Sequence, residues 1–289
     1  MEQQMKPLCV IQAPIATRSG YGEMSRDIAS HFIDLDKYDV KFISTPWGTT
    51  PMNALDAKDL RHAQILSRIL PQPIQLQKQP DLYIQITVPN EFQALGKYNI
   101  GITAGIETTA CSLPWLEGCN RMNLILTISE HSKKVFDGTV AEMRDQNKQV
   151  MQTTKINVPV EVLHNCVHLE TFGVDKKIEE TVDDMMMGVK EKFCYLFVGH
   201  WLRGDIGHDR KNVGMLVKIF CETFKNTIGS KKPALLLKTS GAGFSILDRE
   251  AMLDKIREVR DGVGPTAPNV YLIHGELTES EMNSLYNHS

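Results

Sequence analysis

No apolar run in the 289 residues approaches the ~20 needed to cross a bilayer as a helix, so the sequence offers no membrane span of that kind. There is no Cys-x-x-Cys pair. Six cysteines lie scattered, which fits reduced thiols in a cytoplasmic protein better than a disulfide framework. Neither charge sign is in large excess: 32 Lys plus Arg stand against 35 Asp plus Glu, a net charge of -3. That balance excludes a nucleic-acid binder working through a global positive field, and no nucleic-acid partner is expected. The opening Met-Glu-Gln-Gln-Met-Lys runs into a strand-like segment without the pattern of a signal peptide. The remainder is ordinary for a globular chain, with 42% hydrophobic and 23% charged residues. Its length suits two domains better than one.

Apolar runs alternate with helix-period segments throughout. Leu8–Gln12, Val40–Ile43, Leu82–Ile86, Ile100–Ala104, Leu124–Ile128 and Val160–Leu163 read as strands. After the first comes a helix with Met24, Ile28, Phe32 and Leu35 on one face, and Ser129 is a natural N-cap for another. Phe193–Val198 is continuously apolar and reads as a strand buried on both faces. Asp209 can cap a helix carrying Val213, Leu216, Val217, Phe220 and Phe224. Leu235–Leu237 and Val270–Ile273 are further strands, and Thr278-Glu-Ser-Glu281 matches a capping box. Such alternation predicts an α/β protein with two doubly wound parallel sheets. The expected division is residues 1–165, a hinge or linker at 166–192, and a second domain at 193–289. In the hinge, the methionines of Asp183-Asp-Met-Met-Met187 are expected in the core. Only three strands follow the hinge where a doubly wound half normally has five or six. The second domain is therefore expected to be incomplete, and the chain a fragment of a longer protein.

Candidate chemistry gathers where strands end. Ser19-Gly20-Tyr21-Gly22-Glu23 joins a strand to a helix, a place where backbone N–H groups approach an anion; a tight turn is the competing reading. Val198-Gly-His200-Trp-Leu-Arg203 through Arg210-Lys211-Asn also enters a helix. It concentrates three cations at a helix N-terminus, where they oppose the helix dipole by ~0.3–1 kcal/mol each. A diphosphate would resolve that conflict, since dipole and cations would hold it together. Lys238 follows its strand into the crevice where open α/β sheets bind ligands, or snorkels there. Glu107 follows another strand and can bind a hydroxyl, accept a proton or close a loop. Ser129, Glu130 and Lys133 occupy a similar position. His164-Asn-Cys166-Val-His168 imitates metal spacing but alternates along a strand end with nothing to complete four ligands. Asp34-Leu-Asp36 is explained by a polar turn. No metal site is expected.

These phrases together resemble the GT-B-fold glycosyltransferases of the group 1 (family 4) type, over essentially all 289 residues but part of the family's length. Val160-Glu-Val-Leu-His-Asn-Cys-Val-His-Leu-Glu-Thr-Phe172 is similar to the family's hinge phrase, departing from it at His164, Cys166 and His168. Phe197-Val-Gly-His200 through Arg210-Lys211 is similar to the Val-Gly-Arg…Lys-Gly that holds the donor diphosphate. Lys211 falls on the Lys, and His200 takes the Arg position, leaving Arg203 or Arg210 to supply that charge. Tyr271-Leu-Ile-His-Gly275-Glu276-Leu277 is similar to the strand-turn beside the nucleobase, and Gly20 and Gly22 to the glycine loop next to the donor phosphates. Gly105 stands near where many relatives carry a histidine beside the transferred sugar, with Glu107 a substitute. The family's Glu-x7-Glu element is not reached before Ser289.

The resemblance implies two Rossmann-like domains, the first for the acceptor. It implies sugar transfer from a nucleotide-activated donor to an acceptor hydroxyl, with retention and without a metal or other cofactor. Diphosphate-binding residues would be Gly20, Gly22, Arg203, Arg210, Lys211 and Lys238; Gly275, Glu276 and Leu277 would flank the base; Glu107 would be catalytic. Peripheral membrane contact stays open. The alternatives are a catalytically inactive fragment that binds a nucleotide or partner, and a nicotinamide-dependent oxidoreductase. The second lacks a proper Gly-x-Gly-x-x-Gly with its acidic partner.

Overall fold

The computed structural model describes residues 5–202, 206–241 and 243–288. The chain divides into two compact units, Met1–Cys166 and Val167–Ser289.

The first unit runs β1 (Leu8–Ala13), α1 (Gly20–Asp34), β2 (Asp39–Ser44), α2 (Leu60–Leu66), β3 (Leu82–Ile86), β4 (Tyr98–Thr103), α3 (Leu113–Cys119), β5 (Leu124–Thr127), α4 (Glu130–Gly138), β6 (Ala141–Arg144), β7 (Val150–Thr154) and β8 (Val160–Val162). Six strands form one parallel sheet in the order β2-β1-β3-β4-β5-β8. Alternation along β1 explains its two-sided burial: Cys9, Ile11 and Ala13 join Met24 and Ile28 of α1, whereas Leu8 and Val10 meet Ile43 and Tyr83. The α1 stripe predicted from periodicity is buried at Met24 and Ile28, but Leu35 is exposed, because the helix has ended and Leu35 is its C-cap. Ser129 caps α4, accepting the Ser132 N–H at 3.1 Å. The antiparallel pair β6–β7 is exposed almost throughout and so carries no alternating pattern by which sequence could announce it.

The second unit contains α5 (Glu180–Met186), β9 (Cys194–Val198), α6 (Val213–Phe224), β10 (Ala234–Lys238), α7 (Ile246–Val263), β11 (Val270–Ile273) and α8 (Glu279–Asn287). Its sheet is parallel, ordered β11-β10-β9. Two expectations fail here. Among the described residues the strand buried almost throughout is β10, whereas β9 pairs with β10 alone and Tyr195 is 46% and the preceding Phe193 60% exposed. Its apolar character comes partly from an aromatic group in which Tyr195 meets Phe193, Phe220 and Phe224. The methionines of α5 also differ from expectation. Met185 and Met187 are exposed, and only Met186 packs, against the cluster of Val182, Leu236, Ile273 and Leu285. At the end of the unit, Thr278 and Glu281 form the capping box reciprocally.

Candidate functional site

In the second unit, parallel register brings three strand ends level: Val198 lies opposite Lys238, and Lys238 opposite Ile273. Pairing continues beyond the strands. The Gly199 N–H donates to the Lys238 carbonyl at 3.0 Å and the Trp201 N–H to the Ser240 carbonyl at 2.9 Å. The Thr239 N–H donates to the Ile273 carbonyl at 3.3 Å. Trp201 is buried in the core formed with α6, β10 and α7, so the residue before it, His200, is held at the rim. The His200 Nδ1 lies 3.1 Å from the Ser240 hydroxyl.

Cations converge on that rim. Partial desolvation, then the charges of Lys211, Lys238 and Arg210, push the His200 imidazole below its ordinary value of 6.5, and Asp248 opposes them. Desolvation and the neighbouring Arg210 likewise lower the Lys211 ammonium from 10.5. Lys211 makes no hydrogen bond or ion pair among the described residues; its chain lies across Gly199, where a Cβ would stand 2.6 Å from Nζ and 3.0 Å from Cδ. Lys238 is placed differently. Its ammonium donates to the Gly275 carbonyl at 2.5 Å and sits 5.6 Å from the Phe244 ring centroid.

The helix that follows is already capped. Buried Asp209 accepts the Val213 N–H at 2.9 Å and the Gly214 N–H at 3.4 Å. The protein's own carboxylate therefore relieves part of the conflict between Arg210, Lys211 and the α6 dipole that sequence assigned wholly to a ligand. A second carboxylate braces the neighbouring loop. Both oxygens of Asp248 lie 3.1 Å from the Gly241 N–H, and Oδ2 lies 2.8 Å from Nε2 of His274, whose side chain is buried. A Cβ on Gly241 would meet Asp248 at 2.4 Å, so glycine is required for that approach. Sequence reasoning passed over Ser240, Asp248 and His274. Their signal is positional, since each directly follows a strand or lies in the first turn of a helix.

The nucleobase-side candidates divide. Gly275 has φ +121, a conformation suited to glycine. Glu276 is exposed, and Leu277 packs against the Val182–Leu236–Ile273–Leu285 cluster, leaving its backbone for any ligand. Arg203 lies outside the described residues.

Gly20, Gly22 and Glu107 belong to the first unit. Ser19 caps α1, accepting the Gly22 N–H at 3.0 Å. Gly22 is required by packing: a Cβ there would stand 2.2 Å from the Thr17 carbonyl oxygen. Around Gly20 a Cβ meets nothing within 4 Å, and the residue is exposed. Buried Arg26 holds this loop through the carbonyls of Ile15 and Thr17, at 3.0 and 2.9 Å. Tyr21, also missed, joins the loop to β4. Its hydroxyl accepts the Ala104 N–H at 2.9 Å and pairs with the Thr103 hydroxyl at 3.0 Å, while its ring stacks on Trp47 at 4.1 Å. Burial, more than any neighbour, raises the Tyr21 phenol from 10.0; the Glu107 charge adds to that rise.

Glu107 is exposed and makes no hydrogen bond or ion pair among the described residues. Gly105, at φ +83, faces Ser132, whose Oγ would stand 2.2 Å from a Cβ. That crowding leaves no room for a histidine at this position. Lys133 is paired with Glu161 at 2.7 Å. His164 Nδ1 faces the Ile128 carbonyl and His168 Nδ1 the Thr171 hydroxyl, so the metal-like pair is occupied locally. Among the described residues, no three or more His, Cys, Asp and Glu gather where they could hold a metal ion. No described helix is long and apolar enough to cross a membrane.

No protein family matches the sequence, and no curated protein matches it. Solved structures do match. Trehalose-6-phosphate from E. coli bound with UDP-2-fluoro glucose superposes with a TM-score of 0.55 at 10% identity, over 97% of this chain and 76% of that one. The N-terminal domain of Candida albicans trehalose-6-phosphate phosphatase gives 0.52 at 13% identity, over 98% and 76%. OtsA in its apo form gives 0.52 at 11% identity, over 96% and 76%. The chain has the GT-B fold. At these identities the likeness concerns architecture alone.

Proposed function

We propose that this chain is a glycosyltransferase that moves a sugar from a nucleotide-activated donor to an acceptor hydroxyl. The observation carrying this reading is the set of cations, Lys238 at the end of β10 with Arg210 and Lys211 before α6, around His200 at the end of β9, on a GT-B scaffold. As the glycosidic bond breaks, negative charge develops on the departing nucleoside diphosphate. Lys211 and Arg210 would receive that charge in place of a metal ion, on a rim whose geometry the Asp209 and Asp248 contacts fix beforehand. Lys238 would act through the turn it holds at Gly275, beside the base. One fold neighbour was solved with UDP-2-fluoro glucose bound, which supports a nucleotide sugar as the ligand class. The first unit would receive the acceptor, with Glu107 as the catalytic carboxylate. Retention at the anomeric carbon belongs to the same proposal.

Calorimetry with UDP-, GDP- and ADP-glucose, paired with an assay for sugar release, tests the reading. Binding of one of these donors with slow hydrolysis is expected. Binding without any turnover would convert the proposal to a nucleotide-binding fragment. No binding by any of the three would remove the donor site altogether.

A further inference from the structure

The His200 ring occupies an unusual position for a neutral side chain. It sits at the end of β9 among Lys211 and Arg210 from the loop before α6 and Lys238 from β10, with Asp248 of α7 the opposing charge. One ring nitrogen is engaged: Nδ1 faces the hydroxyl of Ser240, itself buried. The other, Nε2, has no hydrogen-bond partner among the described residues. A serine hydroxyl donates to a bare ring nitrogen and accepts from a protonated one, so the ring keeps its orientation in either state. The same cations that disfavour charge on His200 in the empty site would lose that effect once an anion sits among them.

We infer that His200 is a diphosphate ligand that takes up a proton from solvent as the nucleotide-sugar donor binds. The inference rests on the donor site proposed above and adds a proton to its binding equilibrium. Nε2–H would donate to a phosphate oxygen, making a charge-assisted hydrogen bond that forms only in the complex. The sign follows directly. Binding raises the imidazole pKa, so donor affinity falls as pH rises through the window between the free and bound values. With one proton linked, the fall is at most ~tenfold per pH unit. An arginine in this place would bind without that dependence, because its charge does not titrate.

The test is calorimetry of donor binding near neutral pH in two buffers of different ionisation enthalpy, such as PIPES and Tris. UDP-, GDP- and ADP-glucose serve as probes, since the diphosphate of a nucleotide sugar carries no proton that titrates near neutrality. The wild-type chain is expected to take up a fraction of a proton per donor bound. His200→Gln is expected to bind several-fold more weakly with uptake near zero. His200→Arg is expected to bind without uptake and with affinity flat across the neutral range. Donor binding with no proton taken up, or uptake that persists in His200→Gln, overturns this inference and leaves the donor site standing. Failure of the wild type to bind any of the three donors overturns both.

Discussion

Lys211 offers the sharpest separation between a residue kept for stability and one kept for a ligand. Its ammonium has no partner among the described residues, its surroundings lower its pKa, and Arg210 repels it. Lys211→Ala should therefore leave stability within about 1 kcal/mol of wild type, any change being a small gain, because it removes a cation that opposes the α6 dipole. Donor binding should suffer much more. A hydrogen bond to a charged group is worth about 1.5–3 kcal/mol, which corresponds to roughly 10- to 150-fold in affinity. Turnover should fall by up to about 1000-fold if the contact tightens as the leaving group gains charge. Gly199→Ala keeps the charge but displaces it, and because Gly199 has φ +157 the variant's unfolding curve reports the backbone strain separately from donor affinity. Its Cβ would stand 2.6 Å from the lysine Nζ and 3.0 Å from Cδ, so the chain must leave its path across the strand end. Gly199→Ala alone should weaken the donor, and adding it to Lys211→Ala should cost little more, because both act through one side chain. Denaturant unfolding, calorimetry and donor turnover on the four proteins complete the cycle. Unchanged donor affinity and turnover in Lys211→Ala would remove that residue from the mechanism. Strictly additive losses would show that Gly199 acts by another route.

Three further outcomes follow from the packing. Asp209→Ala strips the cap from α6 and should destabilise the second unit by about 1–2 kcal/mol in denaturant unfolding, with Asp209→Asn milder; a loss below about 0.5 kcal/mol would show the cap to be idle. Gly22→Ala drives a Cβ against the Thr17 carbonyl oxygen and should cost about 1–3 kcal/mol or more, whereas Gly20→Ala should fold like wild type; equal melting temperatures for the two would refute the packing argument. Asp81, held down to about 2 by Lys97 and by the Leu8 N–H it accepts, has a folded value below its unfolded 3.8. It contributes stability above about pH 4 that is lost as pH falls towards about 2. The stability gap between wild type and Asp81→Asn should close over that interval, and a gap independent of pH would remove Asp81 as its source.

Much of this architecture can be read from residues alone, because burial writes a period into sequence. Leu82–Ile86 and Val270–Ile273 have the bounds their apolar runs predict, Thr278 and Ser129 cap where expected, and Asp209 takes the first amides of α6 from three residues before its N-cap Asn212. The mistakes share a cause. Apolar content reports what a strand can bury, not what covers it, so Phe193–Val198 reads as buried on both faces although, among the described residues, Phe193 and Tyr195 are exposed and Tyr195 spends its apolar surface on an aromatic cluster. The consecutive methionines at 185–187 point around α5, and one face cannot bury all three. In α7, Met252, Ile256 and Val259 are buried within an otherwise charged 18-residue helix, a stripe narrow enough to be overlooked. Within the candidate site, charged residues after strands were conspicuous. The Asp248–His274 contact was not, since it joins a helix to a strand end 26 residues away.

The position of β9 at the rim has a kinetic corollary. Among the described residues β9 is laddered on its β10 side, and just past its end the Gly199 and Trp201 amides turn the same way. Alternate amides, His200 among them, point away from the ladder. Deuterium should enter β9 in two interleaved sets, and occupancy of the cation-lined rim should slow the outward set most near position 200.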